Sequence, residues 1–163
     1  MAAENYAWWS ARVKHALTQV DVIRIDHFRG FAGYWEIPAS SPTAKEGQWI
    51  PGPGIALFDA IKAELGELPI IAEDLGLITP DVIELRDATG FPGMKIVQFG
   101  FGGDGTHEFL PHNFSANVVA YTGTHDNDTA VGWWKNAPQR DRTFAAAYLG
   151  ATDSDVHWPM MRA

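Results

Sequence analysis

Three times along this chain a short apolar run breaks off into acids and glycine. VIRIDHFRG spans Val22 to Gly30, LPIIAEDLG spans Leu68 to Gly76, and VVAYTGTHDNDT spans Val118 to Thr129. Runs this short, bounded by charge and turn residues, fit the buried strands of a parallel sheet. In α/β barrels and open α/β sheets, chemistry is placed at the carboxyl ends of such strands. The pattern therefore constrains the fold and marks candidate sites together, because Asp26, Glu73 and Asp126 each follow one of the runs.

The segments between the runs read as helices and loops. Tyr6 to Gln19 has Trp8, Trp9, Val13, Ala16 and Leu17 at helical spacing, with Arg12, Lys14 and His15 on the exposed side. Phe31 to Pro38 is an aromatic segment, and Ala39 to Gly54, full of Ser, Gly and Pro, reads as a long loop. Ile55 to Leu65 is an amphipathic helix with Ile55, Phe58, Ile61 and Leu65 on one face and Gly66 as its stop. Thr79-Pro80-Asp81 starts the next helix and Gly90 ends it. Met94 to Phe99 is read as a third strand, Gly100 to Asn113 as a loop, and Val118 to Tyr121 as a fourth strand. Helices are expected near Ala130 to Lys135 and from Pro138 to Leu149, with Gly150 as the stop, and Asp155 to Ala163 is amphipathic.

The repeated unit is strand, functional loop, helix. Closing such units gives a (β/α)8 TIM barrel, the α/β architecture expected here. About four parallel strands can be counted where a barrel needs eight. Residues 1–163 are therefore read as a partial catalytic barrel domain, roughly its second half. Such a piece has open sheet edges and unpartnered inner faces. It is expected to self-associate or to need the rest of its own barrel as a partner.

Composition narrows the partners. A hydrophobic fraction of 46% with 20% charged residues is that of a globular chain. A net charge of −8 argues against nucleic acid and against an anionic membrane surface. There is no cysteine, which excludes disulfide and thiolate chemistry and suits a cytoplasmic setting. No apolar run approaches the roughly 18 residues of a membrane span, and MAAENYAWW lacks the features of a signal peptide. Seven Trp, nine Phe and four Tyr supply core, and aromatic faces also form platforms for sugar rings.

Arg24 and Asp26 are two residues apart, so on a strand they share a side. A guanidinium beside a carboxylate keeps it ionised, and an ionised carboxylate at a strand end can act as a nucleophile. The plainer account of the same pair is a structural ion bridge. Two carboxylates flanking a bond are the minimum equipment of retaining glycoside chemistry: one attacks the anomeric carbon, the other protonates the leaving oxygen and then activates the acceptor. A third acid can hold sugar hydroxyls, and His125 beside Asp126 can donate to another. His27, His125, Asp126 and Asp128 are also conceivable metal ligands, but neither H-x-H at a strand end nor H-E-x-x-H occurs. No metal and no cofactor is expected, and His27 reads as a hydrogen-bonding residue of the pocket wall.

RIDHFRGFAGYWEIPAS, AEDLGLITPDV, GFPGMKIVQF and YTGTHDNDT, in this order and spacing, resemble the amylomaltases, the 4-α-glucanotransferases also called disproportionating enzymes. The likeness runs from about Trp8 to the C-terminus. It implies Asp26 as nucleophile, Glu73 as general acid/base and Asp126 as transition-state stabiliser. Arg24 and His125 would contact nucleophile and sugar, and His27 and Phe99 complete the implied substrate-binding set. The implied reaction passes α-1,4-glucan segments between maltooligosaccharides, or to glucose, by a retaining double displacement. An α-amylase-like hydrolase, or an inactive sugar-binding fragment, stand as alternatives. Full amylomaltases carry early barrel strands, an inserted subdomain and an aromatic loop before the region matched here, and further strand and helix after it.

Overall fold

The computed structural model describes residues 2–152 and 155–163. The chain forms two compact units, Met1–Gly93 and Met94–Ala163. Both mix strands with helices, and the fold is α/β.

The first unit opens with helix α1 (Ala7–Ala16), followed by strand β1 (Ile23–Ile25) and a 3-10 turn at Phe28–Phe31. Strands β2 (Gly33–Glu36) and β3 (Gln48–Pro51) come next, then α2 (Ile55–Leu65), β4 (Ile70–Ala72) and α3 (Pro80–Thr89). β1 and β4 pair in parallel, with Ile23 opposite Ile70, Arg24 opposite Ile71 and Ile25 opposite Ala72. Val13 of α1, Leu57, Phe58 and Ile61 of α2, and Val82 and Leu85 of α3 share one core with Ile70 and Ala72 of β4, covering apolar side chains that a parallel pair cannot leave in water. Phe28 is fully buried, with its ring 5.6 Å from that of Phe58, 5.9 Å from Phe31 and 6.5 Å from Phe91. Full burial of such a side chain contributes about 3 kcal/mol. Phe28 therefore pins the loop that carries Asp26 and His27 to the core.

The second unit contains β5 (Gly93–Ile96, beginning at the boundary), the short helix α4 (Val97–Gly100), β6 (Val118–Tyr121), α5 (Ala130–Asn136), α6 (Gln139–Leu149) and α7 (His157–Arg162). β5 pairs with β6. Val97, Phe101, Leu110, Trp134, Ala145, Val156 and Met160 form its core. Among the described residues, no helix is long and apolar enough to cross a membrane.

Three expectations from sequence need correction. The loop expected over residues 39–54 contains β3, which pairs antiparallel with β2 and sets Trp35 opposite Trp49. Gly47 is needed in that hairpin, because a Cβ there would lie 2.6 Å from the Glu36 carbonyl oxygen and from the Trp35 ring nitrogen. The third strand stops at Ile96 and turns into α4, so Phe99 is helical and not part of a strand. Trp8 and Ile55, expected in the core, are exposed, and their helices bury Ser10 with Val13 and Leu57 with Phe58 and Ile61. Thr79 holds the N-cap position of α3, but its side chain makes no capping hydrogen bond. Its hydroxyl instead helps to hold the Asp81 carboxyl below the usual aspartate range. The other boundaries agree closely, and the stops at Gly90 and Gly150 both adopt the left-handed conformation.

Candidate active site

β1 ends at Ile25 and β4 at Ala72, which are paired. The next residue on each strand is an acid, Asp26 on one and Glu73 on the other. The backbone N–H of Glu73 donates to the Ile25 carbonyl at 2.9 Å, so the pairing continues into the loops. Adjacent strands lie about 4.8 Å apart, which makes the two acids near neighbours.

The loop environments differ. Arg24 Nη2 donates to Asp26 Oδ1 at 2.9 Å, and the Asp26 side chain is 71% exposed. The alternation anticipated from sequence thus does bring guanidinium and carboxylate together. Glu73 is held by main chain. The His27 N–H donates to its Oε2 at 2.6 Å and the Leu75 N–H to its Oε1 at 2.9 Å. Its own carbonyl accepts from the Phe28 N–H at 3.0 Å. His27 can aim its amide this way because it sits in the left-handed region, at φ 49°. That conformation is uncommon for a residue with a side chain, and histidine is among the types that adopt it more often.

Two side chains around this pair were not singled out from sequence. Arg29 is buried; its Nη1 donates to the Leu77 carbonyl, and its guanidinium carbon lies 4.5 Å from the centre of the Trp49 ring. Asp74, next to Glu73, is buried and accepts from Arg86 Nη1 at 2.6 Å. This bridge, together with desolvation of Arg86, marks a structural ion pair, and the carboxylate raises the guanidinium's already high pKa. β5 begins at Gly93 hard against that carboxylate, where a Cβ would lie 2.5 Å from Asp74 Oδ2.

Asp126, His125 and Phe99 belong to the second unit. His125 Nε2 lies 3.4 Å from Asp126 Oδ2, and both side chains are exposed. Their loop is shaped by Asn127, whose Oδ1 accepts from the Thr124 N–H at 2.9 Å and its hydroxyl at 3.0 Å. Phe99 is 41% exposed, with its ring 5.8 Å from that of Phe109. Asp128 is engaged structurally: it accepts from the Thr129 N–H at 2.8 Å and from Asn136 Nδ2 at 3.3 Å. Buried Gln98 holds the same loop by donating to the Asp128 carbonyl at 3.1 Å. A polar residue inside the apolar run MKIVQF is the signal that could have revealed it. Among the described residues no three His, Asp or Glu side chains gather as a metal-binding group would.

Paired carboxyl groups are also what most enzymes acting on glycosidic bonds use. Comparison with known proteins is more specific. The 4-alpha-glucanotransferase family matches residues 1–163, and the chain belongs to that family. It is 57% identical over 157 residues to the 4-alpha-glucanotransferase of Streptococcus pneumoniae, covering 96% of this chain and 31% of the relative. With the Thermus thermophilus 4-alpha-glucanotransferase it shares 50% identity over 166 residues, 97% of this chain and 33% of the relative. The chloroplastic/amyloplastic 4-alpha-glucanotransferase of Arabidopsis thaliana is 48% identical over 164 residues, 100% of this chain and 28% of the relative. Among solved structures, the amylomaltase from Streptococcus agalactiae in complex with acarbose has a TM-score of 0.93 at 41% identity, covering 99% of this chain and 33% of that one. The chain thus spans about a third of the length of these relatives.

Proposed function

We propose that this chain carries the acid machinery of a 4-α-glucanotransferase, a retaining glycosyltransferase that moves α-1,4-glucan segments between maltooligosaccharides or onto glucose. The observation that supports this most is the β1–β4 register, which puts Asp26 and Glu73 one residue past paired positions. Membership of the family supplies the substrate class. Acarbose in the Streptococcus agalactiae complex is in keeping with it.

In this reading Asp26 attacks the anomeric carbon while the bond to the leaving oxygen breaks. Glu73 gives that oxygen its proton, and the sugar becomes esterified to Asp26. The acceptor hydroxyl then passes its proton to Glu73 as its oxygen displaces Asp26, restoring the starting configuration. Arg24 steadies the attacking carboxylate. Asp126 stabilises the oxocarbenium-like transition state, and His125, His27 and Phe99 contact sugar. No cofactor or metal takes part. The domain reading is a portion of a (β/α)8 barrel that acts with the rest of that barrel, in a cytoplasmic setting.

The test is incubation of the complete gene product with maltotriose. Glucose appearing with longer oligomers supports transfer. Reducing ends without elongation would move the assignment to an α-amylase-like hydrolase, and binding without turnover to a sugar-binding protein.

A further inference from the structure

Arg29 stands three residues beyond Asp26 and takes no part in the chemistry just described. It lies in the 3-10 turn Phe28–Phe31, only 9% exposed, with fully buried Phe28 anchoring the turn beneath it. Its Nη1 donates to the Leu77 carbonyl, in the loop that follows Glu73. Its guanidinium also lies 4.5 Å from the centre of the Trp49 ring on β3. One planar group therefore spans three segments: the loop after Asp26, the loop after Glu73, and the β2–β3 hairpin. Trp49 itself is 53% exposed, so the cation–π contact seats the guanidinium from its outer side.

The two loops are also joined at Glu73 itself, whose N–H and carbonyl pair with the Ile25 carbonyl and the Phe28 N–H and whose carboxylate accepts from the His27 N–H. Beyond Leu75 the acid loop passes Gly76, at φ 89°, a residue that gives little stiffness. The Arg29–Leu77 hydrogen bond closes that segment against the nucleophile loop. We infer that Arg29 is a positioning residue, one that holds Glu73 in line to protonate the leaving oxygen by clamping its loop at Leu77. The inference rests on the acid/base reading of Glu73. Lysine replaces arginine only in part in this role, because a point ammonium lacks the planar fork that can bond a carbonyl while lying over a ring.

The experiment compares two donors on the complete gene product. Maltotriose needs its leaving oxygen protonated, whereas in α-maltosyl fluoride the fluoride ion leaves with little help from an acid. The constant kcat/KM reports the first covalent step for both. Misplacing an acid by about 1 Å can lower a rate about 100-fold. Arg29→Met is therefore expected to lose about 100-fold on maltotriose and less than about 10-fold on the fluoride, with Arg29→Lys showing the same selectivity to a smaller degree. Equal losses on both donors in Arg29→Lys, or no loss, would overturn the inference. Glu73→Gln is the control. If it spares the fluoride, the acid/base reading stands and the Arg29 variants judge the clamp. If it loses equally on both donors, the acid/base reading itself fails.

Discussion

Asp26 and Glu73 each follow one member of a single strand pair, Ile25 opposite Ala72. A retaining enzyme needs its two carboxyls about 5–5.5 Å apart, close to the spacing of neighbouring strands. A fluorosugar donor that slows the second step is therefore expected to leave a glycosyl adduct on Asp26, found by peptide mass mapping. Asp26→Asn should give no adduct. A label on another residue would refute the nucleophile assignment.

Arg24 meets the Asp26 carboxylate at 2.9 Å, and its side chain is partly buried. In the proposed reaction its influence falls on the attacking group. Arg24→Ala is expected to lower kcat by about 100-fold while changing KM little. Steady-state kinetics on maltotriose decide it, and a variant altered in KM alone would remove Arg24 from the chemical step.

His27 reaches Glu73 because its backbone is left-handed. Asparagine accepts that conformation readily and a β-branched residue does not. His27→Asn should therefore melt close to wild type, and His27→Val should lose about 1–2 kcal/mol or more. Denaturant unfolding of the two variants provides the comparison, and equal stability would show that the turn is not demanding.

Phe28 is fully buried among Phe31, Phe58 and Phe91. Phe28→Ala should cost about 3–5 kcal/mol, a large share of the 5–15 kcal/mol that holds a typical domain together. Calorimetry would register this as a lowered Tm. A loss below about 1 kcal/mol would mean that the site loop is not pinned through this ring.

The carboxyl of Asp81, in the first turn of α3, is held below the usual aspartate range by the Thr79 hydroxyl and by backbone amides of the turn. A group whose pKa is depressed by folding stabilises the fold above its unfolded pKa, and that contribution fades as pH falls through the folded value. The Tm gap between wild type and Asp81→Asn should be flat at neutral pH and should narrow below the ordinary value of about 3.9. A gap that widens in acid would contradict the sign.

The candidate acids stood out because each follows an apolar run, and the same contrast located β1, β4 and β6. β3 was hidden for a physical reason. Gln48–Pro51 is mostly exposed and lies between Gly47 and a Gly-Pro-Gly sequence, so neither burial nor alternation marks it. The turn from β5 into α4 was hidden for another: an apolar stretch such as Ile96, Val97 and Phe99 carries no period that separates strand from helix. Arg29 stood in plain view within RIDHFRG. Its role depends on Leu77 and Trp49, which are remote in sequence and meet it only through the fold.

The groups that hold the Glu73 carboxylate are peptide amides, those of His27 and Leu75. Substituting either side chain leaves the N–H donor in place, so an alanine scan of this site would not by itself report on these two contacts. Only edits to the polypeptide itself reach them. Proline at position 75 removes one N–H, and a backbone ester introduced by chemical ligation at position 27 removes the other. For a glutamate held in this way, tolerance to side-chain change is no measure of how tightly it is fixed.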